Sequence, residues 1–159
     1  MDSKIMTSEE AYFYAKDIIK GRWPEGESII LTNYRYVYYY AKHIIKDRWL
    51  EAEPIITKDP QWSYFYALEI IQGQWPEGEP IIVTDPQWSY YYAKDIVKER
   101  WPKGEPAISA IPEWAYYYVK YIIKERWPEA EPVILQGSFA ERYYKEFLQS
   151  KTNWKIEGF

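Results

Sequence analysis

Trp23, Trp49, Trp75, Trp101 and Trp127 are spaced by 26 residues each time. A fixed period of that length is a severe constraint. Each unit is one supersecondary element, too small to bury its own apolar face, so the units must stack and share a core. A second column, Trp62, Trp88 and Trp114, keeps the period, with Tyr36 and Glu10 in the earlier slots. The unit reads D-P-Q-W-S-Y-Y-Y-A-K-D-I-V-K-E-R-W-P-K-G-E-P from Asp85 to Pro106, and the sequence holds five full copies and a divergent sixth start.

Within a unit, Trp62, Tyr66 and Ile70 stand four apart with Ala67 and Ile71 beside them, which is a helical stripe. Asp59-Pro60 and Asp85-Pro86 place a capping carboxylate before a proline at the first helical position, where the missing N–H costs nothing. Thr7 with Glu10, and Ser138 with Glu141, have capping-box spacing, and so predict the starts of the first and last long helices. After the period-setting Trp come Pro24, Pro76, Pro102 or Pro128, then acidic residues and an Ile pair. Proline at N1 with glutamates in the first turn predicts a second, shorter helix from about Pro76 to Thr84. The run Pro80-Ile81-Ile82-Val83-Thr84 also suits a strand, which would make an α/β horseshoe with one strand and one helix per repeat. Ala107-Ile108-Ser109-Ala110 is a poor strand in the equivalent place, and the prolines would disrupt a ladder. The expectation is therefore an all-α solenoid of about five two-helix repeats with a C-terminal capping helix.

We expect a single repeat domain over 1–159, with a flexible N-terminus at 1–7, tandem repeats over 8–137, a capping helix over 138–150 and a tail at 151–159. In the sixth start, Glu141, Arg142, Lys145 and Gln149 replace apolar positions, as a helix with one side in water requires. Trp154 and Phe159 of the tail either fold back over the last unit or stay loose.

Composition excludes several function classes. A 20% aromatic fraction, with 18 Tyr and 9 Trp, argues for packing by large amphipathic rings and against disorder. The net charge of -4 supplies no bulk attraction to a phosphate backbone. Without Cys there is no disulfide framework and no thiolate nucleophile. No secretory leader and no membrane-spanning apolar run is apparent, so a soluble, cytoplasmic protein is expected.

The apolar columns of the long helix fall within an arc of about 220°, as wide as a helix with neighbours on both sides needs. Ala15, Ala41, Ala67, Ala93 and Val119 are small enough for close helix approach, and the column Tyr14, Tyr40, Tyr66, Tyr92, Tyr118 and Tyr144 reads as core. The opposite arc carries Lys16, Lys42, Lys94 and Lys120, a second set at Lys20, Lys46, Lys98 and Lys124, and acids at Asp17, Glu69 and Asp95. In its middle lies another aromatic column: Phe13, Tyr39, Phe65, Tyr91, Tyr117 and Tyr143. Exposed rings flanked by lysines are the feature least required by folding, and aromatic residues are favoured interface anchors. Phe13, Tyr39, Phe65, Tyr91 and Tyr117 with Lys16, Lys42, Lys94 and Lys120 are therefore the candidate partner-binding residues. The structural alternative is that each ring lies over its neighbour's helix and seals the stack.

Glu27, Glu53, Glu79, Glu105 and Glu131 are identical in all five copies. Catalysis needs one asymmetric site, so five equivalent carboxylates argue for a structural task, with Arg22, Arg48, Arg100 and Arg126 or the short helix's own N–H groups as partners. Glu79→Ala is accordingly expected to lower the melting temperature without abolishing partner binding. His43, the single histidine, replaces an acid on the polar face and has no Cys or second His for a metal site, so it reads as solvated. No GxGxxG, P-loop or GxSxG motif appears, and no enzyme activity, metal or cofactor is expected.

The pattern RWPEGEPII followed by DPQWSYYYAKDIVKERWP resembles short tandem repeats of uncharacterised phage, viral and bacterial proteins over residues 8 to 137. The resemblance implies paired short helices, and its phage association implies a protein that binds and modulates a host protein. The expected function is a non-enzymatic protein-interaction module. The alternative is single-stranded nucleic-acid or nucleotide binding through the Tyr/Phe and Lys columns, since rings can stack bases while lysines hold phosphates.

Overall fold

The architecture is that of a computed structural model, which describes residues 6–149. Of the segment 1–7 for which flexibility was expected, residues 1–5 lie outside the described residues while Thr7 is fixed as the cap of the first helix; residue 150 and the tail 151–159, loose or folded back by expectation, also lie outside them. Among the described residues the protein is all α, with no strand. The second element of each repeat is therefore a helix, and the horseshoe alternative falls.

The long helix of each repeat begins α-helical: α1 (Ser8–Phe13), α3 (Tyr34–Tyr40), α5 (Pro60–Tyr66), α7 (Pro86–Tyr92), α9 (Pro112–Tyr118) and α11 (Ala140–Tyr143). It then widens into a π-helical turn, at Tyr14–Ile19, Ala41–Ile45, Ala67–Ile71, Ala93–Val97, Val119–Ile123 and Tyr144–Leu148. Between long helices lie α2 (Pro24–Ile30), α4 (Glu53–Ile56), α6 (Glu79–Ile82), α8 (Glu105–Ile108) and α10 (Glu131–Ile134). The expected start at the proline after Trp holds for α2 alone. In the third copy Pro76 belongs to a turn, and regular helix starts three residues later at Glu79.

The starts follow from capping chemistry. The Asp59 and Asp85 carboxylates accept the backbone N–H of Trp62 and Trp88 at 3.1 and 3.0 Å, and Thr7 and Glu10 form the reciprocal capping box. The predicted box at Ser138 does not form. The last helix begins at Ala140 with Phe139 in the cap position and no side-chain cap.

Each long helix of the five repeats ends on a residue in the left-handed region: Lys20, Lys46, Gln72, Lys98 and Lys124, with φ between 58° and 63°. There the carbonyl of the small-residue column collects the returning N–H groups: Lys46 donates to Ala41 at 2.6 Å and Lys124 to Val119 at 2.7 Å. The column is fully buried, so its carbonyl has no water to turn to, and the wide turn satisfies it.

The chain divides into two compact units, Met1–Ile82 and Val83–Phe159. Inside each, successive helix pairs stack through the same tyrosine. Tyr40 packs against Trp49 of its own repeat at 5.1 Å, while its hydroxyl accepts the backbone N–H of Trp23 from the preceding repeat at 2.6 Å and donates to Glu27 at 3.3 Å. Tyr66 does the same with Trp49 and Glu53, and in the second unit Tyr118 with Trp101 and Glu105. The glutamates also receive forked hydrogen bonds from Arg22, Arg48, Arg100 and Arg126. This column is structural, as its repetition implied. One side chain thus fills a core position and satisfies a buried backbone donor across a repeat junction.

The sixth start drops one residue. Trp127 donates its N–H to Tyr143, 16 residues on rather than the usual 17, and Tyr143 also donates to Glu131 at 2.9 Å. Tyr143 is therefore the inner ring, fully buried, and Tyr144 is 53% exposed, which reverses the roles their register suggested. Phe139 follows the same shift and stacks on Tyr116 with ring centroids 4.7 Å apart. Glu141, Arg142, Lys145 and Gln149 are exposed, as a capping helix requires.

Gly26, Gly78 and Gly104 sit under the indoles of Trp23, Trp75 and Trp101, where an added Cβ would fall 2.0, 2.1 and 2.3 Å from a ring carbon. Ala52 and Ala130 occupy the same slot in the other copies, so Trp49 and Trp127 take ring positions that admit the methyl while staying buried.

Candidate functional site

The face singled out by the sequence is built on the first halves of the long helices. Its foundation is a tyrosine column two residues before the inner one, at Tyr12, Tyr38, Tyr64, Tyr90 and Tyr116, all nearly buried. Each ring meets its own repeat's outer aromatic residue at a steep angle, with centroids 5.1 to 5.6 Å apart, and the hydroxyls of Tyr12, Tyr38 and Tyr116 reach the next repeat. There the acidic column meets those of Tyr38 and Tyr116. Tyr38 donates to Glu69, and Lys42 both donates to the Tyr38 hydroxyl at 3.2 Å and forms an ion pair with Glu69. In the second unit Tyr116 donates to Glu146 at 3.2 Å, and Lys120 lies 3.1 Å from the Tyr116 hydroxyl and 3.2 Å from Glu146. Glu69 and Glu146 are thus junction components, whereas Asp95 pairs with Lys94 of its own repeat.

These contacts shift the titrating groups in opposite directions. Burial, then the bond to Glu69, pushes the Tyr38 hydroxyl far above its usual 10. Burial alone would raise Glu69, but the hydrogen bonds from Lys42 and Tyr38 outweigh it and hold the carboxyl below its ordinary value. A neutral donor and a charged acceptor are both stabilised, which locks the direction of the bond.

The outer rings are neither free nor core. Tyr39 touches Tyr38, Trp62 and Tyr12 with centroids 5.4, 5.6 and 5.9 Å away. Phe65 lies 5.2 Å from Tyr64 and 6.0 Å from Trp62. Tyr91 lies 5.2 Å from Tyr90 and 5.8 Å from Trp114, and Tyr117 lies 5.3 Å from Phe139. All four are half-buried, and Phe13 is 44% exposed. Tyr39, Phe65, Tyr91 and Tyr117 thus each pack on a ring of a neighbouring repeat, as the sealing alternative anticipated, and still show part of themselves to solvent. The lysines sit over these rings: Lys16 is 5.7 Å from the Tyr12 ring and 5.8 Å from Phe13, and Lys94 is 6.0 Å from Tyr90 and 5.9 Å from Tyr91. Trp62, Trp88 and Trp114, which period alone assigned to the stack, are half-buried and join the same face.

The acidic column is interrupted by Tyr121 in the fifth repeat and by a histidine in the second. In the column that holds Glu69 the second repeat has His43, whose Nδ1 lies 2.9 Å from the Tyr12 hydroxyl and whose ring stacks on Tyr39 at 5.8 Å. Although exposed, it is anchored on two sides rather than simply solvated. Burial against these rings, then the charges of Lys42 and Lys16, holds its pKa below 6.5. Arg35, where other copies have Gln61, Gln87 and Glu113, lies over Tyr36 and Tyr39 at 5.9 and 5.7 Å. The hydrogen bond to Tyr39 raises the pKa of Arg35 further. Glu9, Tyr12, Phe13, Lys16, Arg35, Tyr36, Tyr39 and His43 line a cleft of about 240 Å³ here. Arg35, Tyr36 and His43 were legible only as departures from the repeat, and departures are where an array can hold something asymmetric.

Among the described residues no group of three His, Cys, Asp or Glu side chains is placed to hold a metal ion, and no helix is long and apolar enough to cross a membrane. No protein-family model, curated protein or solved structure matches the chain.

Proposed function

We propose that this chain is a non-enzymatic protein-binding module of the cytoplasm. Its contact surface is the face of Phe13, Tyr39, Phe65, Tyr91 and Tyr117 with Lys16, Lys42, Lys94 and Lys120. The observation that carries the reading is that four of these rings are half-buried and held on several sides by neighbouring rings. Such rings contribute contact area to a partner with little side-chain entropy left to lose, which is the property of an interface anchor. The resemblance to phage-type repeats adds the narrower reading that the partner is a host protein whose activity the module modulates.

The test is affinity capture with a variant that keeps the seal and removes the rings, Tyr39→Leu, Tyr91→Leu and Tyr117→Leu together. Loss of captured partners at an almost unchanged melting temperature supports the reading. A folded variant that retains every partner overturns it. A second reading, single-stranded nucleic acid, is favoured by the placement of Lys16 and Lys94 over rings. It predicts tight binding of a labelled oligonucleotide at low salt that weakens in Lys16→Gln and Lys94→Gln.

A further inference from the structure

The junction between the first two repeats leaves a lysine of the face without the carboxylate that Lys42, Lys94 and Lys120 each have, from the next repeat for Lys42 and Lys120 and from its own repeat for Lys94. At Tyr38 the lysine of the face, Lys42, is paired with Glu69, and at Tyr116 its counterpart Lys120 is paired with Glu146. At Tyr12 the carboxylate is replaced by His43, so Lys16 stands over Tyr12 and Phe13 with no ion pair among the described residues. Arg35 adds a second exposed cation on the other wall of the same cleft, and it too forms no ion pair among the described residues. Glu9 is the one acid of the lining; it is engaged by the Tyr36 hydroxyl and its charge also acts on Arg35, though among the described residues the two form no ion pair. Folding explains neither change, because the copies with Gln61 or Gln87 at the Arg35 position and Glu69 at the His43 position stack by the same inner-tyrosine contacts.

We propose that this cleft receives an acidic side chain, Asp or Glu, from an extended segment of a protein partner. Lys16 and Arg35 supply the two charges, and Phe13, Tyr36 and Tyr39 form the apolar wall against which the neighbouring residue of the segment lies. The inference rests on the protein-binding reading and narrows it to an acidic partner sequence. Size supports one side chain, since about 240 Å³ falls short of the roughly 300–1,000 Å³ of small-molecule sites. Charge also favours a carboxylate on a protein over a chain of phosphates. The positive spot stops at the next junction, where Glu69 closes Lys42, and the molecule carries a net charge of -4. Lys16 and Arg35 are exposed residues that stand over ring faces of the same cleft, so a carboxylate entering it need displace no buried group.

The decisive variant is His43→Glu. It installs the residue found in the Glu69 position and gives Lys16 the partner that Lys42 has, so folding is preserved or improved while the cleft loses the free charge of Lys16 and keeps only that of Arg35. The probe is a fluorescein-labelled synthetic peptide of alternating glutamate and leucine, followed by anisotropy. A glutamine–leucine peptide and an oligothymidylate serve as comparison arms. Saturable binding of the acidic peptide is expected, weakened about tenfold or more in His43→Glu and in Lys16→Gln with Arg35→Gln, and unchanged in Lys94→Gln. No binding of the acidic peptide, equal binding of the glutamine peptide, binding indifferent to His43→Glu, or tighter binding of the oligothymidylate at the same residues each overturns the proposal. If the acidic peptide fails while captured partners still depend on Tyr39, Tyr91 and Tyr117, the acidic cleft falls and the protein-binding reading stands.

Discussion

At the residue scale, stability is concentrated in a hydroxyl. The inner tyrosine accepts a buried backbone N–H and donates to a glutamate, so removing its oxygen leaves a donor at Trp49 without an acceptor and takes one donor from Glu53. Tyr66→Phe, which alters no packing volume, should lower unfolding free energy by about 1–3 kcal/mol in urea titration. Tyr144→Phe, at an exposed ring, should change it by less than about 0.5 kcal/mol. His43 gives a second test. Its folded pKa is depressed below 6.5, so the unfolded chain binds the extra proton first as the solution is acidified. The stability it contributes is fully present above pH 6.5 and lost as pH falls through the lower folded value. Melting curves of the wild type and His43→Gln should therefore diverge above that pH and converge below it.

At the element scale, the end of the long helix is built against propensity. Lysine or glutamine occupies a left-handed position that glycine adopts freely, and Gly21 and Gly73 come one residue too late to fill it. Relief of that backbone strain, worth about 1–2 kcal/mol, exceeds the roughly 0.4–1 kcal/mol of unfolded-chain entropy that glycine adds. Lys98→Gly should consequently raise stability by about 0.5–1 kcal/mol, seen as an upward shift of the melting temperature. The arginine–glutamate forks contribute less than their geometry suggests. Arg48 is 41% exposed, and solvent screens the pair, although Glu53 itself is mostly buried.

At the scale of the whole molecule, repetition multiplies one titration. Tyr66 and Tyr143 have pKa values raised to about 12, chiefly by burial, and Tyr40 and Tyr118 are shifted in the same direction for the same first reason. A raised folded pKa means that the fold favours the neutral hydroxyl. The contribution is complete below pH 10 and is lost as pH rises through about 12. Alkaline unfolding should set in within that window with a steepness that reflects several tyrosinates ionising together. Tyr66→Phe, already less stable at neutral pH, should show a shallower dependence. A wild-type chain whose stability does not change between pH 10 and 12 would contradict the junction chemistry.

The period, the all-α class, the caps at Thr7, Asp59 and Asp85 and the structural duty of the glutamate column were all legible in the sequence, because each depends on residues near one another in the chain. A capping carboxylate and its N–H are three residues apart, and the arginine and glutamate of each fork are five apart. What joins one repeat to the next was not legible. Tyr38 reaches Glu69 across 31 residues, and whether that glutamate faces solvent or a neighbour depends on how the helices stack. The same holds for the outer rings Tyr39, Tyr91 and Tyr117, which are covered by Trp62, Trp114 and Phe139 of the following repeats. Only packing could show that the sixth start drops one residue and brings Tyr143 inward, since either of two adjacent tyrosines satisfies the local pattern. The spacing of the sequence determined the unit. The tertiary structure decided which side chains the junctions consume, and among the described residues it left the cations of the first junction, Lys16 and Arg35, without a partner carboxylate in an ion pair.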